Sequence, residues 1–324
     1  LALLKAELMY ARVRRDGLTL RARMLSEVDL LGRLGTMTPR LANAALEFAP
    51  LRKLMEMTLG ISAKRPLPPY ARWRFDKWFA RRSAKVKSSR GKVILWDDTF
   101  VRYHEPNIGV AAVRVLEALG FEVVLPTGRR CCGRPAFSQG NLSMARELGR
   151  HNLQLLRDSS EPILFLEPSC YSMFVEDYRE LKLDADAIAP RCFLFEQFVD
   201  DILAREPEAL RFNNGATHHV AIHAHCHAKS LVKTGFMARL AERLPGRKVK
   251  LLETGCCGMA GAFGALESKY ELSLKVGADL VQKIEAQPNE CTIVASGTSC
   301  RHQIEHMTDR KPKHMAELLA DALA

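Results

Sequence analysis

The 324-residue chain has no apolar run approaching the roughly eighteen residues that a membrane-spanning helix needs, which excludes a helical bilayer span. No nucleic-acid recognition motif accompanies the basic charge, so a nucleic-acid partner is not expected. The most glycine-rich turn, Gly258-Met259-Ala260-Gly261-Ala262-Phe263-Gly264, lacks the lysine of a P-loop, and no nucleotide site is inferred from it. Evenly spread cysteines are missing too. The nine present gather in sets, which argues against a disulfide framework and for metal use in a reducing compartment.

Hydrophobic residues, at 47%, are enough for real cores, and the length suits two domains of ordinary size. The net charge of +11 is unevenly placed: residues 1–98 hold 21 Lys+Arg against 9 Asp+Glu, and the remainder 27 against 28. A positive field confined to one end steers acidic partners or anionic membrane surfaces, and a solvated basic linker is the plainer reading.

The cysteines follow a repeated plan. In the second half, a strand-like run ends at Cys226, another at Glu253-Thr254-Gly255-Cys256-Cys257-Gly258, and a third at Gly297-Thr298-Ser299-Cys300. A weaker copy runs through Val93-Ile94-Leu95-Trp96, Cys131-Cys132-Gly133 and Glu167-Pro168-Ser169-Cys170. Two adjacent cysteines chelate one tetrahedral ion poorly, because structural zinc sites favour pairs two to four residues apart. A cluster of several irons lets divergent thiolates each take a different metal. Glycine after the pair frees the backbone to bend and removes bulk beside an inorganic core. Reduced, packed thiols remain the alternative reading, with zinc or a redox disulfide behind it.

These residues resemble the cysteine-rich CCG domain found in the disulfide-cleaving subunit of heterodisulfide reductase, in the iron–sulfur subunits of glycolate oxidase and anaerobic glycerol-3-phosphate dehydrogenase, and in fused FAD-linked oxidases. That family's pattern is Cys, a gap, CCG, a gap, then CxxC, usually twice. The resemblance implies metal ligation by Cys226, Cys256, Cys257 and Cys300, four thiols for one 4Fe–4S cluster, with Gly297 where a cysteine would fall. The first copy supplies only Cys131, Cys132 and Cys170, with Glu167 at the CxxC position and Asp98 or Thr99 at the leading one. It holds a cluster only if an oxygen ligand completes it.

The resemblance also implies an iron–sulfur electron-transfer module of an FAD-linked oxidoreductase acting on a 2-hydroxy acid, of glycolate, D-lactate or D-2-hydroxyglutarate type. Electrons would pass from flavin to a quinone or another acceptor. The alternatives are a heterodisulfide-reductase-like thiol/disulfide site and a metal-free scaffold. The chain opens at Leu1 in what reads as mid-helix, so a fragment is expected, with FAD-binding and ferredoxin-like domains upstream or in a partner subunit. The expected location is cytoplasmic, extending to peripheral contact with the inner face of a membrane through the basic N-terminal segment.

Hydrophobic periodicity predicts helices across 1–60, a basic aromatic helix after Pro66, Pro68 and Pro69, and a polar linker over 85–91. Strands are expected at 93–96, 121–125, 163–166, 220–224, 249–252 and 292–295. Helices are expected at 109–119, 142–156, 193–203, 230–244, 268–284 and 315–322. Such alternation is α/β. It implies two similar half-domains with mostly parallel sheets related by pseudo-twofold duplication, preceded by a helical N-terminal segment. The divisions are 1–90, 91–212 and 213–324, and ligands are expected at the carboxyl ends of the strands.

His223, His225 and His227 alternate about Cys226 and, read as strand residues, share a face toward the site, where they could donate to sulfur, relay protons or contact an anion. Arg130, with Arg129 and Arg134 around the first CCG, reads either as positive charge for an anionic cluster or carboxylate or as ordinary surface arginines. Asp98, Arg102 and Glu105 form a polar set at a strand end, and Cys192 and Cys291 are read as core residues.

Overall fold

Among residues 2–82, 88–215 and 217–324, which the computed structural model describes, seven strands form two parallel sheets. The first contains β1 (Lys92–Trp96), β2 (Glu122–Val124), β3 (Ile163–Phe165) and β4 (Cys192–Leu194), in the order β2-β1-β3-β4. The second contains β5 (His218–Ile222), β6 (Arg247–Leu251) and β7 (Thr292–Val294), in the order β6-β5-β7. Every pairing is parallel. The orders superimpose: the first strand of each half lies in the middle, the second on one side, the third on the other. A parallel bridge between Val294 and Lys313 stands where β4 sits in the first half. The expected duplication is therefore present, with the fourth strand reduced to one bridge in the second copy.

Parallel strands need helical crossovers, and the apolar faces of these helices fill the core. The helix after β1, Pro106–Ala118, buries Ile108, Ala112, Val115 and Leu116. Each half closes on a helix that packs against the other half. Phe195–Arg205, after β4, packs on Gly235–Glu242, while Met315–Ala322 packs on Pro106–Ala118. One hydrophobic core therefore runs through both sheets, and a smaller one lies around Cys257, Leu280, Ile293, Cys300 and Ile304.

The N-terminal helices pack outside this frame. Leu20–Ser26 lies against Arg134–Ser138, Ala6 is buried, and Arg129 pairs with Asp29 at 2.7 Å. The expected linker over 85–91 falls partly outside the described residues. No described helix is long and apolar enough to cross a membrane.

Three expectations are corrected. The helix at 193–203 begins later, because Phe193 and Leu194 pair with β3 as β4. The helix at 230–244 is two helices, Cys226–Leu231 and Gly235–Glu242, since Val232 turns extended with φ −139 and ψ 157. The three histidines are not strand residues, because β5 ends at Ile222 and His225 caps the next helix.

Candidate metal centre

All the motif cysteines lie past the carboxyl ends of strands. Cys226 is the first residue of a helix whose N-cap is His225, whose Nδ1 accepts from the His227 amide at 3.1 Å. The corresponding helix of the first half, Thr99–Tyr103, is capped by Asp98, which accepts from the Phe100 amide at 2.8 Å. Thr99 therefore occupies the place of Cys226, and Asp98 that of His225. Both CCG glycines are left-handed, Gly133 with φ 89 and Gly258 with φ 90, and the backbone doubles back after each cysteine pair. Space at Gly258 is tighter, since a Cβ there would stand 2.1 Å from the Ser273 carbonyl oxygen. Cys170 and Cys300 each occupy the third position of a short helix, Pro168–Ser172 and Thr298–Met307.

In the second half the four sulfurs form one continuous row. Cys226 hydrogen-bonds Cys256, Cys256 meets Cys257, and Cys257 meets Cys300. Hydrogen bonds from Cys226 and Cys257 hold the Cys256 thiol well below its usual value, and Cys257 does the same to Cys300. Cys226 and Cys257, as the donors, are raised. The Gly258 amide also donates to Cys256 Sγ at 3.3 Å. His223 is 1% exposed; its Nδ1 lies 2.7 Å from Thr254 Oγ1, its Nε2 meets no hydrogen-bond partner among the described residues, and the ring's proximity helps hold Cys300 down. His225 lies against Gly297, where a Cβ would come within 2.2 Å of the ring. A cysteine in place of Gly297 has no room while this ring stays put.

Among the described residues no group of three or more His, Cys, Asp or Glu is arranged for a single metal ion. A multi-iron sulfur cluster asks for something else, thiolates that fan out over several metals. A row of four cysteines, two already depressed, with the buried, unpartnered His223 Nε2 in the same half, fits such a group.

The first half differs in charge. Cys170 Sγ lies 3.0 Å from Cys132 Sγ. All three thiols are raised: Cys131 by its Cys132 hydrogen bond and burial, Cys132 by burial. Cys170 reaches about 11 because burial, Asp98, Cys131 and Glu167 outweigh its hydrogen bond to Cys132. Asp98 is buried and pushed up to about 7 by desolvation and then by Glu167. Glu167, at the position matching Gly297, crosses to the other half, where its Oε2 accepts from the Thr298 amide at 2.8 Å. Neutral thiols beside two buried acids are poor surroundings for a further anion.

An open cavity of about 190 Å³ lies over Cys226, Cys256 and Cys257, walled by Lys5 and Ala6 of the N-terminal helix, Arg134, Ser169, His225 and His227. His227 Nδ1 sits 3.1 Å from Ser172 Oγ, which accepts from Arg134 Nη2 at 2.5 Å. Arg130, expected near the site, is half exposed and paired with Glu147 at 2.9 Å. Its neighbour Arg134 lines the cavity instead. Cys192 and Cys291 are buried in the two cores. Arg102 pairs with Asp97 at 2.6 Å, and Glu105 with Arg301 at 2.6 Å. Arg65, which backs the second CCG turn, carried no signal beyond a place in the basic N-terminal third.

A family profile described as CCG, a cysteine-rich domain, matches residues 99–175 and 220–305, the two copies seen in the sheets. The chain belongs to the CCG cysteine-rich domain family. The CCG chain is also similar to a subunit of the anaerobic glycerol-3-phosphate dehydrogenase of Escherichia coli (strain K12), 28% identical over 94% of this chain and 78% of the relative. Lactate utilization protein A of Bacillus thuringiensis (strain Al Hakam) is 31% identical over 58% of this chain and 84% of that protein. With these relatives, the CCG chain is an oxidoreductase component with an electron-transfer role.

Proposed function

We propose that this chain is the iron–sulfur module of an FAD-linked oxidoreductase that oxidises a 2-hydroxy acid of glycolate, D-lactate or D-2-hydroxyglutarate type. The observation that carries the reading is the unbroken row of thiols from Cys226 through Cys256 and Cys257 to Cys300. A 4Fe–4S cluster, when bound there, supplies one-electron relay. The four cysteines would hold it; the Gly258 amide, which donates to Cys256 Sγ, and the charge-stabilising His223 ring would tune its potential. Flavin chemistry belongs to an FAD-binding domain upstream or in a partner, reached through ferredoxin-like clusters. The acceptor is a quinone or another carrier. The basic N-terminal segment suits contact with an anionic membrane surface on the cytoplasmic side.

The charge difference between halves favours one cluster per chain. Anaerobic purification followed by iron, acid-labile sulfide and visible spectroscopy tests this: about four irons are expected, lost in Cys256→Ser and kept in Cys132→Ser. A colourless, iron-free protein, or retention of iron in Cys256→Ser, refutes it.

The cavity favours a second reading, because a pure conduit needs no open chamber over an exposed thiol such as Cys226. That reading is a heterodisulfide-reductase-like site, with a substrate sulfur entering beside Cys226 and Cys256. A disulfide-reduction assay with a low-potential donor separates it from relay alone.

A further inference from the structure

Arg65 is 2% exposed, yet its nitrogens meet only neutral acceptors. Nε donates to the Gly264 carbonyl at 2.9 Å, Nη1 to Gln303 Oε1 at 2.6 Å and Nη2 to Ser273 Oγ at 3.3 Å. The Tyr270 ring lies 5.2 Å from the guanidinium, and no carboxylate among the described residues pairs with it. A buried guanidinium without an anion is costly, and burial pulls its pKa down while Tyr270 and Cys257 oppose that pull. Something negative nearby would balance it.

Its partners wall the second CCG turn. A Cβ at Gly258 would meet the Ser273 carbonyl and Gln303 Nε2, and one at Gly277 would meet the Cys257 carbonyl and Gln303 Nε2. The charge therefore stands one layer behind Cys257. The first half offers the contrast. Arg129, equally buried, has Asp29 at 2.7 Å and Asp97 at 3.4 Å, so its charge is balanced without any bound group.

We propose that Arg65 is the counter-charge of the second-half thiolate site, a positioning residue that favours the more negative, reduced state of the group held there. This rests on the iron–sulfur reading above. The discriminating change is Gln303→Glu, nearly isosteric, which puts a carboxylate against Arg65 Nη1 and cancels its charge, at the loss of the Gln303 Nε2 donation to the Ser273 carbonyl at 3.1 Å. At fixed poise the reduced-to-oxidised ratio is expected to fall about tenfold, a midpoint drop of about 59 mV for one electron. Arg65→Lys keeps the charge and should hold the ratio within about threefold of wild type, and Arg65→Gln should match Gln303→Glu. If Arg65→Gln does not fold, Gln303→Glu and Arg65→Lys carry the test by redox titration followed by EPR. A purely structural clamp would leave the midpoint of Gln303→Glu unmoved, which overturns the proposal alone. Wild-type protein without iron overturns it together with the reading it rests on.

Discussion

Glu196 sits at the start of helix Phe195–Arg205, fully buried, and neither carboxylate oxygen meets a donor at hydrogen-bond distance among the described residues. Desolvation raises its pKa from 4.5 to about 7, with the Glu167 charge adding to the rise, while its own amide and Ser296 only moderate it. The folded state thus holds this proton more tightly than the unfolded chain does. For a carboxyl raised in this way, stability is greatest below 4.5 and declines as the pH rises through about 7. The gap corresponds to about 3 kcal/mol once the pH is well above 7, and to less than about 1 kcal/mol at pH 5. Glu196→Gln keeps the shape and cannot ionise, so it removes the penalty. Denaturant unfolding of wild type and variant at pH 5 and 8.5 reads this directly: the curves should nearly coincide at pH 5, with the variant the more stable by about 2–3 kcal/mol at pH 8.5. Equal slopes of stability against pH for the two proteins would refute the reasoning.

Glu105 behaves in the opposite sense. Burial opposes its charge, but the Arg301 guanidinium overrides it and holds the pKa at about 2, so this pair's contribution is complete above 4.5 and lost as the pH falls through 2. Glu105→Gln should cost about 3 kcal/mol at pH 7 by leaving a buried guanidinium short of its partner, measurable by denaturant midpoint. Gly258→Ala combines a left-handed φ with a backbone oxygen at 2.1 Å and should cost at least about 2 kcal/mol and the bound iron, whereas Gly255→Ala, with nothing within 4 Å, should be close to neutral. Circular dichroism melts and iron content compare the two. Replacing Gly297 by cysteine, to restore the family's CxxC, should lower thermal stability because His225 occupies that space; an unchanged melt would show the ring free to move.

Much of this architecture is written in local patterns. Helices Leu142–Leu156 and Met315–Ala322 carry an apolar period with clear stops, and their ends match the expectation. β4 escaped notice because three residues, Cys192–Leu194, run straight into an apolar helix, so no turn residue separates strand from helix. The break at Val232 has no glycine or proline to mark it before Gly235. The histidines misled because alternation about Cys226 mimics a strand, while the decisive event is His225 closing a helix end. At the site, spacing singled out the four cysteines of the second half. Arg65 was invisible because its meaning lies in partners about two hundred residues away, Gly264, Ser273 and Gln303.

The closing helices, each laid on the opposite half, have a consequence for how this polypeptide holds together. Cut apart between the sheets, either piece would present a bare greasy groove where its sibling's last helix belongs, and each would carry away a helix with nowhere to lie. The duplicated units are thus mutual lids, obliged to fold and melt in concert. Such interdependence gives each copy a packing role of its own, whatever the chemistry at its cysteines.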